Sequence, residues 1–168
     1  MDITIAPATP ADYDQVGDLV AGVFLDDGLL TFGENDSYLG VLRDSASRAA
    51  KAELLVARAQ ESGEILGSVT YAAPGTAYSD LRVAGSAEFR MLVVAPAGRG
   101  RGIGEALVRA CIERAREQGA RSLVLSTQAR MKSAHRLYER LGFVRTPERD
   151  WSPVAESDLT LLTYELAL

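Results

Sequence analysis

Apolar and polar positions alternate in ways that divide the chain into short strands and amphipathic helices. Asp2 to Pro7 has Ile3 and Ile5 on one face and predicts a first strand. Thr9-Pro10-Ala11-Asp12 predicts a helix start, with Thr9 as cap and Pro10 in the first turn. Val16, Leu19, Val20, Val23 and Phe24 then recur at helical spacing, to about residue 24. Asp26-Asp27-Gly28 breaks this pattern, and residues 26–37 read as irregular and acidic. Tyr38, Leu39, Val41 and Leu42 mark the apolar side of a second helix ending near residue 50. Two strands follow, Glu53 to Ala59 and Glu64 to Ala72, joined by a hairpin turn at 60–63. Pro74-Gly75-Thr76 opens a flexible loop to about Gly85, and Ala87 to Val94 reads as the next strand.

The second half is more regular. Ile103, Leu107, Ala110 and Cys111 form one stripe of a helix over 101–118, ended by Gly119 as a C′ glycine. Ser122 to Thr127 is a short buried-type strand. Ala134, Leu137, Tyr138 and Leu141 share the inner face of a helix from about Met131 to Leu141, which Gly142 caps and Phe143 packs against. Phe143 also starts a short strand. Thr146 to Asp158 reads as a long polar loop, and Leu159 to Leu166 as the closing strand. Hairpins and β–helix–β units in one chain predict an α/β fold with a mixed central sheet of about seven strands flanked by about four helices.

A chain of 168 residues fits one domain over its whole length, 1–168. A net charge of −5 argues against nonspecific binding to nucleic acid or to an anionic membrane. The arginines cluster between Arg99 and Arg149, a pattern that fits an anionic ligand. No apolar run is long enough for a membrane helix, and the first residues lack the regions of a signal peptide, so a cytoplasmic setting is expected. The single cysteine, Cys111, cannot form an intrachain disulfide and reads as a small buried hydrophobe.

The chemistry concentrates at residues 92–104. An apolar strand end, Leu92-Val93-Val94, stops at Pro96. Gly98-Arg99-Gly100-Arg101-Gly102-Ile103-Gly104 then leads into the helix. Helix N-termini carry unpaired N–H groups and the positive end of the dipole, glycines allow close approach, and the arginines add charge. A phosphate or diphosphate is the expected guest. The stretch lacks the Gly-Lys of a P-loop and the third glycine of a dinucleotide-binding fingerprint.

Arg99-x-x-Gly102-x-Gly104, after Leu92-x-Val94-x-Pro96, resembles the coenzyme A signature of the GNAT N-acetyltransferases. Ala134-x-x-Leu137-Tyr138-x-x-x-Gly142-Phe143 is similar to the same family's A-x-x-L-Y-x-x-x-G-F helix. The resemblance implies direct acetyl transfer from acetyl-CoA, without a metal, to an amine of a small molecule or protein. The amine attacks the thioester carbonyl, an oxyanion forms, and the CoA thiolate leaves. By resemblance, residues Arg99, Gly100, Arg101, Gly102, Ile103 and Gly104 hold the diphosphate. Leu92, Val93 and Val94 pair with the pantetheine, and the Val94 N–H is a candidate for the thioester oxygen.

Tyr138 matches the family's proton donor to sulfur, and also fits a core tyrosine. Glu88 matches a glutamate that serves some members as general base; a surface partner of Arg90 is the alternative. Strand alternation puts Glu88, Arg90, Leu92 and Val94 on one face unless a bulge intervenes. The family's helix often has Asn three residues before the alanine, where this chain has Met131, so that contact to pantetheine is lost or taken over by backbone or Ser133. His135, the only histidine, stands off the inner stripe and reads as solvated.

The acceptor region maps to residues 24–50, 73–86 and 146–158. It combines acids (Asp26, Asp27, Glu34, Asp36, Asp80) with aromatics (Phe24, Phe32, Tyr78, Trp151). That mixture suits a cation with an apolar body, a solvated loop, or a homodimer contact. The competing functional reading is a non-catalytic acyl-CoA sensor, which would keep the loop and lose the proton-transfer groups; the presence of Tyr138 weighs against it.

Overall fold

The computed structural model describes residues 2–154 and 157–168. Met1 and residues 155–156, within the predicted 146–158 loop, lie outside the described residues. Seven strands, β1 (Ile3–Pro7), β2 (Glu53–Ala59), β3 (Ile65–Ala72), β4 (Ser86–Val94), β5 (Ser122–Gln128), β6 (Val144–Arg145) and β7 (Leu161–Ala167), form one sheet in the order β1-β2-β3-β4-β5-β7-β6. Only β4 and β5 run parallel; every other pair is antiparallel.

Five helices flank the sheet, where the sequence pattern gave about four: α1 (Tyr13–Asp26), α2 (Tyr38–Arg43), α3 (Ser45–Lys51), α4 (Ile103–Glu117) and α5 (Lys132–Arg140). The predicted helix from residue 38 to about 50 is two helices. Asp44 leaves helical geometry and its carboxylate accepts from the Ser47 N–H at 3.1 Å, capping α3. The first helix is preceded by a 3-10 turn at Pro10–Asp12, in which the Thr9 N–H donates to the Asp12 carboxylate at 2.9 Å.

Two cores lie on opposite faces of the sheet. On one, the stripe Ile103, Leu107, Ala110 and Cys111 of α4 packs with Tyr138 and Phe143 over β3–β5. On the other, Val16, Val20 and Val23 of α1 and Leu39 and Leu42 of α2 cover Leu54, Val56, Met91 and Val93. Gly17 lets α1 meet the end of α2 closely: a Cβ there would lie 2.4 Å from the Arg43 carbonyl oxygen. Among the described residues no helix is long and apolar enough to cross a membrane.

Two irregularities in β4 shape everything that follows. Its parallel pairing with β5 covers only Ser86–Glu88 against Ser122–Val124. Beyond that point β4 stays with β3 and β5 with β7, so the sheet splits into two wings. The second irregularity is a bulge. The β3 register moves from Ser68 to Thr70 while β4 moves from Val93 to Arg90, one residue more. Met91 takes up the extra residue at φ +55°. An added residue reverses side-chain alternation past it. Glu88 and Arg90 therefore do not share a face with Leu92 and Val94. Leu92 and Val94 pack on the α4/α5 side with Phe89, and Met91 and Val93 on the α1 side.

Candidate active site

The phosphate-type loop enters α4 at Gly102, which sits at φ +78°, and no side chain caps the helix. Gly100 is also left-handed, at φ +75°, and a Cβ on either glycine would meet open space. Gly98 is needed for another reason: a Cβ there would lie 2.8 Å from Ile103 Cδ1. The first α4 N–H groups thus face outward beside Arg101, with room for an anion against the backbone. This is a fit to a diphosphate drawn from local geometry. Ile103 itself is buried and anchors the helix in the core.

The arginine cluster is not a single basic patch. Arg109 and Arg140 both pair with Glu105, Arg114 with Glu53, Arg145 with Asp150, and Arg149 with Glu165. Arg99 reaches Asp27 at 3.3 Å. These partners neutralise the arginines one by one or in pairs, which sequence proximity does not reveal.

Between the wings lies a cavity of about 490 Å³. The β4 edge supplies Phe89, Met91 and Leu92; the β5 side supplies Ser126, Thr127 and Gln128. Val94 lies just beyond it. Because the Ala95 N–H bonds to the Leu66 carbonyl at 2.8 Å, the alternation of an antiparallel ladder turns the Val94 N–H away from β3, toward the gap. The Val93 side chain is buried under α1, which leaves only its backbone to the strand edge.

Tyr138 and Glu88 come from opposite faces of the sheet, and the split brings both to this cavity. Tyr138 is 3% exposed and its ring touches Phe89, Phe143 and Tyr164 at centroid distances of 5.8–5.9 Å. It lines the cavity, and no hydrogen bond within the protein contributes to the pKa of its hydroxyl. Burial raises its pKa, so the phenol stays protonated and available as a donor.

Glu88 is 1% exposed, not the surface glutamate of the alternative reading. Its carboxylate accepts from Ser79 Oγ at 3.2 Å, the Asp80 N–H at 3.2 Å and the Leu81 N–H at 3.0 Å. Burial raises its pKa more than these bonds lower it. The same bonds pin the β3–β4 loop, expected to be flexible, across one side of the cavity. Arg90 reinforces it by donating to the Tyr78 carbonyl and pairing with Asp80.

The segment after α1 crosses the gap as a strap. Asp27 is tied to Arg99 on the phosphate-loop side. The Gly28 carbonyl accepts from Arg130 at 2.5 Å and the Leu29 carbonyl from Gln128 at 2.8 Å on the β5 side. Asp36 lines the cavity, with its carboxylate taken by the Phe32 and Tyr38 N–H groups. Asp26, Phe32 and Glu34 are exposed and do not line the cavity. Tyr78 lies under Arg90 instead, 5.8 Å from its guanidinium.

Met131 lines the cavity where the resemblance led to an expected Asn, and its sulfur accepts weakly from Thr127 Oγ1 at 3.8 Å. Ser133 Oγ accepts from Arg136 at 3.2 Å and does not line the cavity. His135 is half-buried, with Nε2 3.0 Å from the Gln128 carbonyl, and braces the start of α5. Cys111 is fully buried and burial pushes its thiol up to about 12, as befits a core residue. Phe89, Gln128 and Arg130 had no signal in the sequence: each acquires its role from the split and the strap.

A family model described as "Acetyltransferase (GNAT) family" matches residues 24–143. "Probable N-acetyltransferase family 8 member 5" of Mus musculus is 47% identical over 55 residues, 33% of this chain; the match spans only 24% of that relative's length. Among solved structures, yncA from Salmonella typhimurium, determined with its cofactor acetyl-CoA, superposes with a TM-score of 0.73 at 21% identity, covering 100% of this chain and 95% of that one. Ribosomal-protein-alanine N-acetyltransferase from Brucella melitensis gives 0.71 at 24% identity, over 98% and 99% of the two chains. With the family model spanning well over half of its length and the split sheet matching these folds end to end, the chain belongs to the GNAT acetyltransferase family.

Proposed function

We propose that the protein transfers the acetyl group of acetyl-CoA directly to a primary amine. The observation that carries this reading is the placement of three features along one split in the sheet: an uncapped α4 N-terminus whose Gly104 lies beside Val94, a β4 edge unpaired with β5 past Glu88, and Tyr138 lining the cavity. Acetyl-CoA supplies the activated acyl group. The backbone of 100–104 and Arg101 hold the diphosphate, and Arg99 joins them by exchanging Asp27 for phosphate. Residues 92–94 align the pantetheine along the free strand edge, with the Val94 N–H as a donor toward the thioester oxygen. Tyr138 protonates the leaving sulfur.

Glu88 takes the proton of the attacking amine, either directly or through water. Its raised pKa supports this role by moving it toward the operating pH of a general base. A cytoplasmic, reducing setting suits such an enzyme.

Calorimetric titration with acetyl-CoA, beside CoA and NADH, tests the reading. Saturable acetyl-CoA binding that competes with CoA is expected, and its loss in Gly102→Glu, which puts bulk and negative charge at the diphosphate. Tight binding by that variant would refute the anchor. Binding without turnover on any amine would favour the non-catalytic sensor.

A further inference from the structure

Resting on the acetyl-transfer reading, we propose that the acceptor is a primary amine on an apolar aromatic body that carries no carboxylate, an arylalkylamine rather than a free amino acid or a polyamine. Much of the cavity lining is apolar, from α1, α2 and the strap (Phe24, Leu30, Val41) and from the segment before β7 (Trp151, Pro153, Leu159). The ionic groups lining the cavity are three carboxylates, Asp36, Asp80 and Glu88, and one cation, Arg90, among the described residues. An ammonium arriving from water meets a surplus of negative charge, and the body behind it meets hydrocarbon and indole.

A carboxylate on the acceptor would need a cation of its own, because an unpaired buried charge is strongly disfavoured. Arg90 is committed elsewhere. Its Nη2 lies 3.0 Å from Asp80 and donates to Tyr38 Oη at 3.0 Å, and its Nη1 donates to the Tyr78 carbonyl at 3.3 Å. Arg48, fully buried, gives Nη1 to the Val41 carbonyl and Nη2 to Ser45 Oγ; its Nε has no partner among the described residues, but the side chain does not line the cavity. The chemistry balances with such an acceptor. The ammonium first gives one proton to Glu88 or solvent; the C–N bond then forms and the C–S bond breaks, the thiolate takes the Tyr138 proton, and the second proton shed by nitrogen returns through solvent to the Tyr138 phenolate.

Trp151 is the only tryptophan, and it lines the cavity with Nε1 held by Ser126 Oγ at 3.0 Å, so its fluorescence reports occupancy independently of turnover. The test compares 2-phenylethylamine with phenylalanine, which is the same body plus a carboxylate, and with spermidine and an alanine-ended peptide. Thiol release and product mass give kcat/KM, and Trp151 fluorescence with CoA present gives binding. A kcat/KM for phenylethylamine about a hundredfold above that for phenylalanine, with saturable quenching, is expected.

Equal or better use of phenylalanine, spermidine or the peptide overturns the inference. So does acetyl-CoA binding with no phenylethylamine binding or acetylation, which leaves the acetyl-transfer reading standing. Failure to bind acetyl-CoA in calorimetry overturns that reading and the inference with it. Asp80→Asn supplies a gain-of-function arm. It frees one face of Arg90, and the phenylalanine to phenylethylamine ratio of kcat/KM should rise about tenfold. An unchanged ratio in the folded variant overturns the claim that the Asp80 pairing excludes carboxylates.

Discussion

Tyr138 and Glu88 have the same problem, burial, and respond to it in ways that suit opposite roles. Burial keeps the Tyr138 phenol protonated. Tyr138→Phe keeps the ring contacts with Phe89 and Phe143 and removes only the hydroxyl. It should lower kcat by about 10²–10⁴-fold with CoA affinity nearly unchanged in calorimetry. Glu88 is pushed above the usual carboxylate value of 4.5 by burial. As a base it works only when ionised, so kcat/KM should fall as pH drops through this raised pKa. Glu88→Gln should erase that acidic limb and reduce the plateau. A limb that persists in the variant would assign Glu88 to loop anchoring alone, through its bonds to Ser79, Asp80 and Leu81.

At the scale of elements, three connections are held by one carboxylate each: Asp44 starts α3, Glu88 pins the β3–β4 loop, and Asp150 anchors the segment carrying Trp151. Asp150 accepts from both Arg145 terminal nitrogens, at 2.9 and 2.8 Å, and from the Thr163 N–H at 2.9 Å. The Arg145 hydrogen bonds, then the Thr163 bond, hold its pKa below the ordinary 3.8. A depressed acid stabilises the fold above its unfolded pKa and loses that contribution as pH falls through the folded one. Asp150→Asn should therefore cost about 1–3 kcal/mol at pH 7 in urea unfolding, with the gap to the wild type closing below about pH 3.8. The cost should also appear at the cavity, because the anchor precedes Trp151 and its bridge to Leu161.

For the whole molecule, the decisive feature is the split sheet. Two wings, spanned on one face by the α4/α5 core and joined in the sheet by three residue pairs of β4 and β5, leave a gap that the 27–30 strap crosses with three side-chain contacts. A ligand lying in that gap touches both wings and binds only the folded state. Acetyl-CoA at a hundred times its Kd should add about 2.7 kcal/mol and raise Tm by roughly 5–10 °C for a chain of this size. The rise should vanish in Gly102→Glu.

The sequence by itself determined the order of elements apart from the break between α2 and α3 at Asp44, the strand-loop-helix joint at 92–104 and the stripe that carries Tyr138. These follow from local periodicity, caps and turn residues, which act within a few positions of one another. It also pointed to Asp80 and Trp151, which line the cavity, along with Phe32 and Glu34, which do not. Only the tertiary structure decided the rest. The Met91 bulge flips Leu92 away from Glu88 because one extra residue reverses a period of two, and nothing in Arg90-Met91-Leu92 marks it. Arginines close in sequence were neutralised by acids far along the chain, and Gln128 met Leu29 across 99 residues. Such contacts depend on how two wings pack, and that is set by the sum of the core rather than by any local stretch.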